Sequence, residues 1–289
     1  MAVLELKDVS FVYGKGTPYE IRALNHINAS IERNRITGII GHTGSGKSTL
    51  VQLLNGLEKP TEGEVLLDGV NIWQKPKEIA KVRFRVGLVM QYPEYQLFEE
   101  TVEKDIAYGP KNMKLSEEEI RARVSEAAGF TGLDAASLSK SPFELSGGQK
   151  RRAAIAGIMA MRPEVLVLDE PAAGLDPAGR NTIFGGIRKY AEVTGSSVVI
   201  VSHSMEDIAR YCDNVIVMYK GTCLMQGTKD DIFARGRKLE EVGLAVPQIT
   251  KLMMLLADAG IPVPTDIRTV EDAERALCAV AGETGAVGQ

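Results

Sequence analysis

Nine consecutive residues, Gly41-His42-Thr43-Gly44-Ser45-Gly46-Lys47-Ser48-Thr49, fit the pattern G-x-x-x-x-G-K-[ST]. Glycines in these places let the backbone wrap until its N–H groups converge on a phosphate. Lys47 brings a point charge to the β- and γ-phosphates, and Ser48 offers a hydroxyl to Mg²⁺. An apolar run, Ile36–Ile40, precedes the loop, and a helical pattern, Ser48–Leu57, follows it. That helix aims its N-terminal dipole at the same anion. A plain glycine-rich turn could match the letters, but it would not need a strand before it and a helix after it. Gly41 to Thr49 are therefore expected to cradle ATP, with His42 taking part as loop backbone and no chemistry assigned to its ring.

Two further groups belong with this loop. Asp169-Glu170 follow the run Val165-Leu166-Val167-Leu168 directly. A hard cation takes carboxylate oxygen, so Asp169 is expected to hold Mg²⁺ through water. Glu170 is placed to polarise an attacking water as general base, a role that typically contributes ~10²- to 10⁴-fold in rate. Leu145-Ser146-Gly147-Gly148-Gln149 precedes an expected helix, Lys150–Met161. Ser146 and Gln149 alone would form a capping box, S-x-x-Q. A cap does not require two successive glycines, however. The amides of Gly147 and Gly148, the Ser146 hydroxyl and a helix N-terminus make a second anion site. One chain does not need two cradles for one nucleotide, so the second is expected to close over the ATP of a partner subunit.

The elements that must position these groups are legible as short apolar runs. Ile36–Ile40, Val86–Met90, Val165–Leu168 and Val198–Val201 are continuous and largely β-branched, as in strands buried on both faces of a parallel sheet. Each is followed by polar chemistry: Gly41, Gln91, Asp169-Glu170 and Ser202-His203. Ligands of open α/β sheets bind beyond the carboxyl ends of the strands, so one rim should collect all four. Val3–Val12 alternates like a half-exposed strand, and Glu64–Leu67 reads as another, closed by Asp68-Gly69. From Tyr92 to about Met161 the pattern turns helical, with a capping box at Ser116 and Glu119 and Gly129 as a stop after Ile120–Ala128. Beyond Phe233 only helical signals remain, at Ile249–Ala257 and around Val270–Ala281, and Gly282 to Gln289 is expected to fray.

The totals exclude several classes. Lys and Arg number 34 against 38 Asp and Glu, a net charge of −4, which argues against nucleic acid as the main partner. Cys212, Cys223 and Cys278 are widely spaced and odd in number, so they read as ordinary thiols rather than a disulfide framework or zinc site. No apolar run approaches the ~20 residues that cross a bilayer, and the first ten residues lack a signal-peptide core. Lys150-Arg151-Arg152 reads as a solvated face, and His26 as structural.

Together, the phosphate loop (Walker A), Gln91, LSGGQ, Asp169-Glu170 and His203 resemble the ATPase domain of ABC transporters in order and spacing, over roughly residues 1–233. The resemblance implies an α/β phosphate-loop ATPase with a mixed or parallel core sheet and an N-terminal antiparallel β subdomain. It also implies a helical subdomain inserted at about 92–161, and a small α-rich C-terminal extension, 234–289, engaged in pairing. Two such domains pack head to tail in that family, with ATP between one Walker A and the other's signature. Tyr13 would then stack on adenine, and Gln91 would touch Mg²⁺ and the attacking water and report to the helical subdomain. Asp176 would contact the opposing subunit, Ser146, Gly147, Gly148 and Gln149 would meet the partner's nucleotide, and His203 would hold the γ-phosphate.

Residues Tyr92 to Pro110 resemble, more narrowly, the Q-loop and Q-helix of energy-coupling factor transporter ATPases, in particular the second of their two paralogues. That resemblance implies a sister ATPase, in a heterodimer rather than a homodimer, together with a transmembrane coupling protein and a substrate-binding membrane protein. The function implied is an ATPase on the cytoplasmic face of the cell membrane that powers import of a vitamin or transition-metal ion. A soluble ABC ATPase acting on DNA or ribosomes is the alternative. The single Walker A, single signature, absence of heptads and acidic balance speak against it.

Overall fold

The computed structural model describes residues 1–286. Strands β1 (Ala2–Tyr13), β2 (Ile21–Glu32), β4 (Glu62–Leu67) and β5 (Val70–Asn71) form an antiparallel sheet ordered β2-β1-β4-β5. Strands β3 (Ile36–Gly41), β6 (Val86–Val89), β7 (Val165–Asp169), β8 (Ser197–Val201), β9 (Asn214–Tyr219) and β10 (Thr222–Thr228) form the second, ordered β10-β9-β3-β8-β7-β6. All neighbours in it are parallel except the edge strand β10. The four continuous apolar runs are thus β3, β6, β7 and β8. β9, equally β-branched, is a parallel strand that the sequence reading omits.

Period-two alternation splits these strands between two cores. Leu166, Leu168, Val198, Ile200, Val215 and Val217 face one side. Val165, Val167, Val199, Val201, Ile216 and Met218 face the other, against Leu4, Ile27 and Leu50 of β1, β2 and helix α1 (Lys47–Leu54). A short helix, α2 (Ile79–Arg85), leads into β6.

Helices α3 (Val102–Asn112), α4 (Glu117–Thr131), α5 (Ala135–Leu138) and α6 (Gly147–Met159) occupy the helical segment. It shares its core with the sheet, since Val102, Ile120 and Ala156 cluster with Leu166 and Leu168. The helix expected to stop at Gly129 runs on to Thr131. Gly132 (φ 68°) supplies the left-handed C-cap there, and the Leu133 amide donates to the Ala128 carbonyl. The expected solvated face at Lys150–Arg152 is also corrected. Arg151 is buried and donates through Nε and a terminal nitrogen to Glu94 at 3.0 and 2.9 Å, while Arg152 donates to the Gly132 carbonyl. Removing one partner of such a buried pair typically costs about 3–5 kcal/mol.

Helices α7 (Pro177–Thr194) and α8 (Met205–Tyr211) flank β8, and α9 (Lys229–Phe233) closes the second sheet. The last stretch holds α10 (Gly236–Glu241), α11 (Gln248–Asp258) and α12 (Val270–Ala286), with a small core around Met253, Val263 and Ala273. Where fraying was expected from Gly282, helix continues to Ala286. Residues 287–289 lie outside the described residues. Among the described residues the three cysteines are free, and no helix is long and apolar enough to cross a membrane.

Candidate active site

Because β3, β6, β7 and β8 run parallel, their carboxyl ends deliver the phosphate loop, Gln91, Asp169-Glu170 and His203 to one rim. They line a cleft of about 410 Å³. Its walls are Tyr13, then Thr43, Gly44, Gly46, Lys47, Ser48 and Thr49 of the loop, then Gln91, Asp169, Glu170 and His203. Ile21, Arg22 and Ala23 of β2 also line it, residues that sequence reading missed because their strand carries no motif.

The loop is shaped by close approach. Gly46 stands at the N-cap of α1 with φ 97°, and a Cβ there would press within 2.6 Å of Leu24 and 2.8 Å of the Ala23 carbonyl. A Cβ on Gly41 would strike the Met218 carbonyl and Ser45 Oγ. No side chain caps α1, so its first amides are open to an anion. Lys47 Nζ folds back to donate to the carbonyls of Gly41 and His42 at 2.7 and 2.8 Å. Burial lowers its pKa, and Glu170 and Asp169 oppose that shift. Tyr13 Oη lies 3.0 Å from Thr49 Oγ1, which fixes the ring at the cleft wall.

The two carboxylates differ from ordinary surface acids. Burial raises the pKa of Asp169, and a hydrogen bond with Ser48 works against it. Glu170 is pushed up to about 7, first by burial and then by the charge of Asp169. Its backbone sits at φ 53°, a costly conformation for a non-glycine residue, held by its amide donating to the Val201 carbonyl at 3.0 Å. Glu170 Oε1 is buried without a hydrogen-bond partner, 3.4 Å from His203 Nε2. Burial, followed by Lys47, lowers the His203 pKa, which keeps the imidazole neutral at pH 7. A carboxyl poised near 7 beside a neutral histidine and a buried lysine is suited to taking a proton from water next to a phosphate.

The signature is elsewhere. Ser146, Gly147, Gly148, Gln149 and Asp176 do not line the cleft. Ser146 N-caps α6 in a complete capping box: its amide donates to Gln149 Oε1 at 3.0 Å, and the Gln149 amide donates to Ser146 Oγ at 3.3 Å. Ser146 and Gly147 are exposed. Asp176, also exposed, caps α7 by accepting from the Gly179 amide at 2.7 Å.

Known proteins resemble this chain over most of its length. The family model for ABC transporters matches residues 24–173. Energy-coupling factor transporter ATP-binding proteins EcfA2 are similar nearly end to end. The one from Caldanaerobacter subterraneus subsp. tengcongensis is 52% identical over 94% of this chain and 95% of its own length. The one from Clostridium acetobutylicum is 50% identical over 96% and 97%. The chain belongs to the ABC transporter ATPases, in the energy-coupling factor group. Among solved structures, cbiO1 from Clostridium perfringens, described as part of the ABC transporter complex cbiONQ, superimposes with a TM-score of 0.74. It is 40% identical over 88% of this chain and 99% of that one. A dimeric ATP-binding cassette in a post-hydrolysis state with ADP and Pi has a TM-score of 0.71 and 31% identity over 78% and 98%. This ABC ATPase is accordingly an ATP-hydrolysing transporter subunit of the importer type, one of an ATPase pair, and the reading as a soluble ATPase on DNA or ribosomes is not favoured.

Proposed function

We propose that the cleft binds MgATP and that hydrolysis occurs only when a second ATPase lays its signature across it. The observation that carries this reading is that Ser146–Gln149 lie outside their own chain's cleft with Ser146 and Gly147 exposed. In this reading Tyr13 stacks on adenine, and the loop from Gly41 to Thr49 wraps the phosphates with Lys47 at the β- and γ-groups. Glu170 takes the proton from the attacking water, His203 donates to the γ-phosphate, Gln91 orients the water, and Asp176 meets the partner. Ser48, Asp169 and Gln91 would hold Mg²⁺. Ser48, Gln91 and Asp169 line the same cleft, and their hydroxyl, amide and carboxylate oxygens are hard donors that fit that cation. Held by these residues, the cation would supply positive charge to the β- and γ-phosphates.

The partner ATPase is a sister chain, making a heterodimer. Transmission to the membrane uses an apolar groove beside α3, where Phe98 and Tyr108 stand exposed with ring centroids 5.0 Å apart. The segment from Gln91 reaches Glu94, whose pairing with Arg151 ties it to the signature helix α6. Movement at Gln91 therefore reaches both the groove and the signature. A transmembrane coupling protein fits the groove, and a separate membrane protein would select a vitamin or transition-metal ion. The subunit would then sit peripherally on the cytoplasmic face of the membrane.

Glu170→Gln tests the assignment of the base. The variant is expected to retain ATP, hold the ATPase pair together and lose turnover. Near-normal hydrolysis by this variant would sink the assignment.

A further inference from the structure

The phosphate loop is gripped from outside by the C-terminal extension. His42 Nε2 lies 2.5 Å from the carbonyl oxygen of Val242, and because a carbonyl only accepts, Nε2 carries the proton. The ring is also edge-on to Tyr219 at 6.3 Å, and a Cβ on Gly243 would come within 3.2 Å of it. The backbone of His42 faces the other way: its carbonyl accepts from Lys47 Nζ at 2.8 Å and from the Ser45 amide at 3.1 Å. One residue thus joins the lysine that meets phosphate to the chain beyond α10.

From Val242 the segment passes over the core, burying Leu244 and Val246, and reaches α11 at Gln248. There the Gln248 amide donates to Glu206 Oε1 at 3.2 Å. Glu206 lies in the first turn of α8, three residues after His203. Residues 242–248 therefore strap together the two loops that carry Lys47 and His203.

We propose that this strap couples occupancy of the cleft to the placement of α11, with His42 as the positioning residue. The inference rests on the reading of the cleft as the ATP site. Coupling of this kind is reciprocal: whatever the strap does to ATP affinity, bound ATP does to the strap. A loop whose amides must point at phosphate is sensitive to small displacements, and its outer tether is where the extension can act.

The test uses the full chain and two readouts, equilibrium ATP binding and hydrogen exchange of residues 242–258 with and without ATP. In the unsubstituted chain ATP is expected to slow exchange in that segment. His42→Ala should weaken ATP binding about fivefold or more. At saturating ATP its cleft loop should still be protected while residues 242–258 no longer respond. His42→Gln, whose amide reaches the same carbonyl, should restore both. Glu206→Ala, which touches no part of the cleft, should blunt the exchange response, and it decides the matter if His42→Ala fails to fold. Exchange that ignores ATP in the unsubstituted chain, or a full response in His42→Ala or Glu206→Ala, overturns the coupling. A chain that binds no ATP at all would instead overturn the reading of the cleft.

Discussion

Helices α1 and α6 both start on glycine-bearing loops, and they treat their N-termini in opposite ways. At α1, Gly46 occupies the N-cap, no side chain closes the first turn, and Lys47 lies folded onto the loop's own carbonyls. At α6, Ser146 and Gln149 satisfy each other's backbone amides. The first end has open donors facing a walled cleft, so an anion can fill it without help. The second end is already capped and exposed, so it offers a surface to something brought by another molecule. In the proposed reading the two ends therefore do different jobs, and a complete catalytic site would take one of each, from two chains.

The largest effect that would break this contrast comes from Lys47. Lys47→Ala should lower the ATP affinity of the isolated chain by about tenfold to a hundredfold, the loss expected for a charged hydrogen-bond donor. Titration with a fluorescent ATP analogue measures it, and unchanged affinity would mean that α1 is not the self-sufficient end. A smaller effect concerns proton transfer at the same rim. The base form of Glu170 is the carboxylate, and its pKa is pushed up to about 7. Turnover of the assembled pair at saturating ATP should therefore rise with pH through 7 and fall about tenfold per unit well below it. A flat pH–rate profile between pH 5 and 8 would remove Glu170 from that step.

The rim was readable because each strand is a short apolar run followed within two residues by its chemical residue, as at Leu168-Asp169 and Val201-Ser202-His203. The capping box of α6 was readable for the same reason: its partners are three residues apart. What stayed hidden involves distant partners. Arg151 looked like part of a solvated run, yet its carboxylate partner is 57 residues away in the turn after Gln91. His42 had no legible role because the carbonyl it meets is 200 residues further on. Spacing reports local geometry well and says nothing about pairs that only the tertiary fold creates.

The most direct test of the central claim compares two readouts of one substitution, Ser146→Ala. In the isolated chain, equilibrium ATP binding should match that of the unsubstituted protein, since Ser146 does not line the cleft. In the assembled ATPase pair, hydrolysis at the site this serine closes should fall sharply. Weakened ATP binding by the isolated chain, or undiminished turnover by the pair, would contradict the division of the site between two chains.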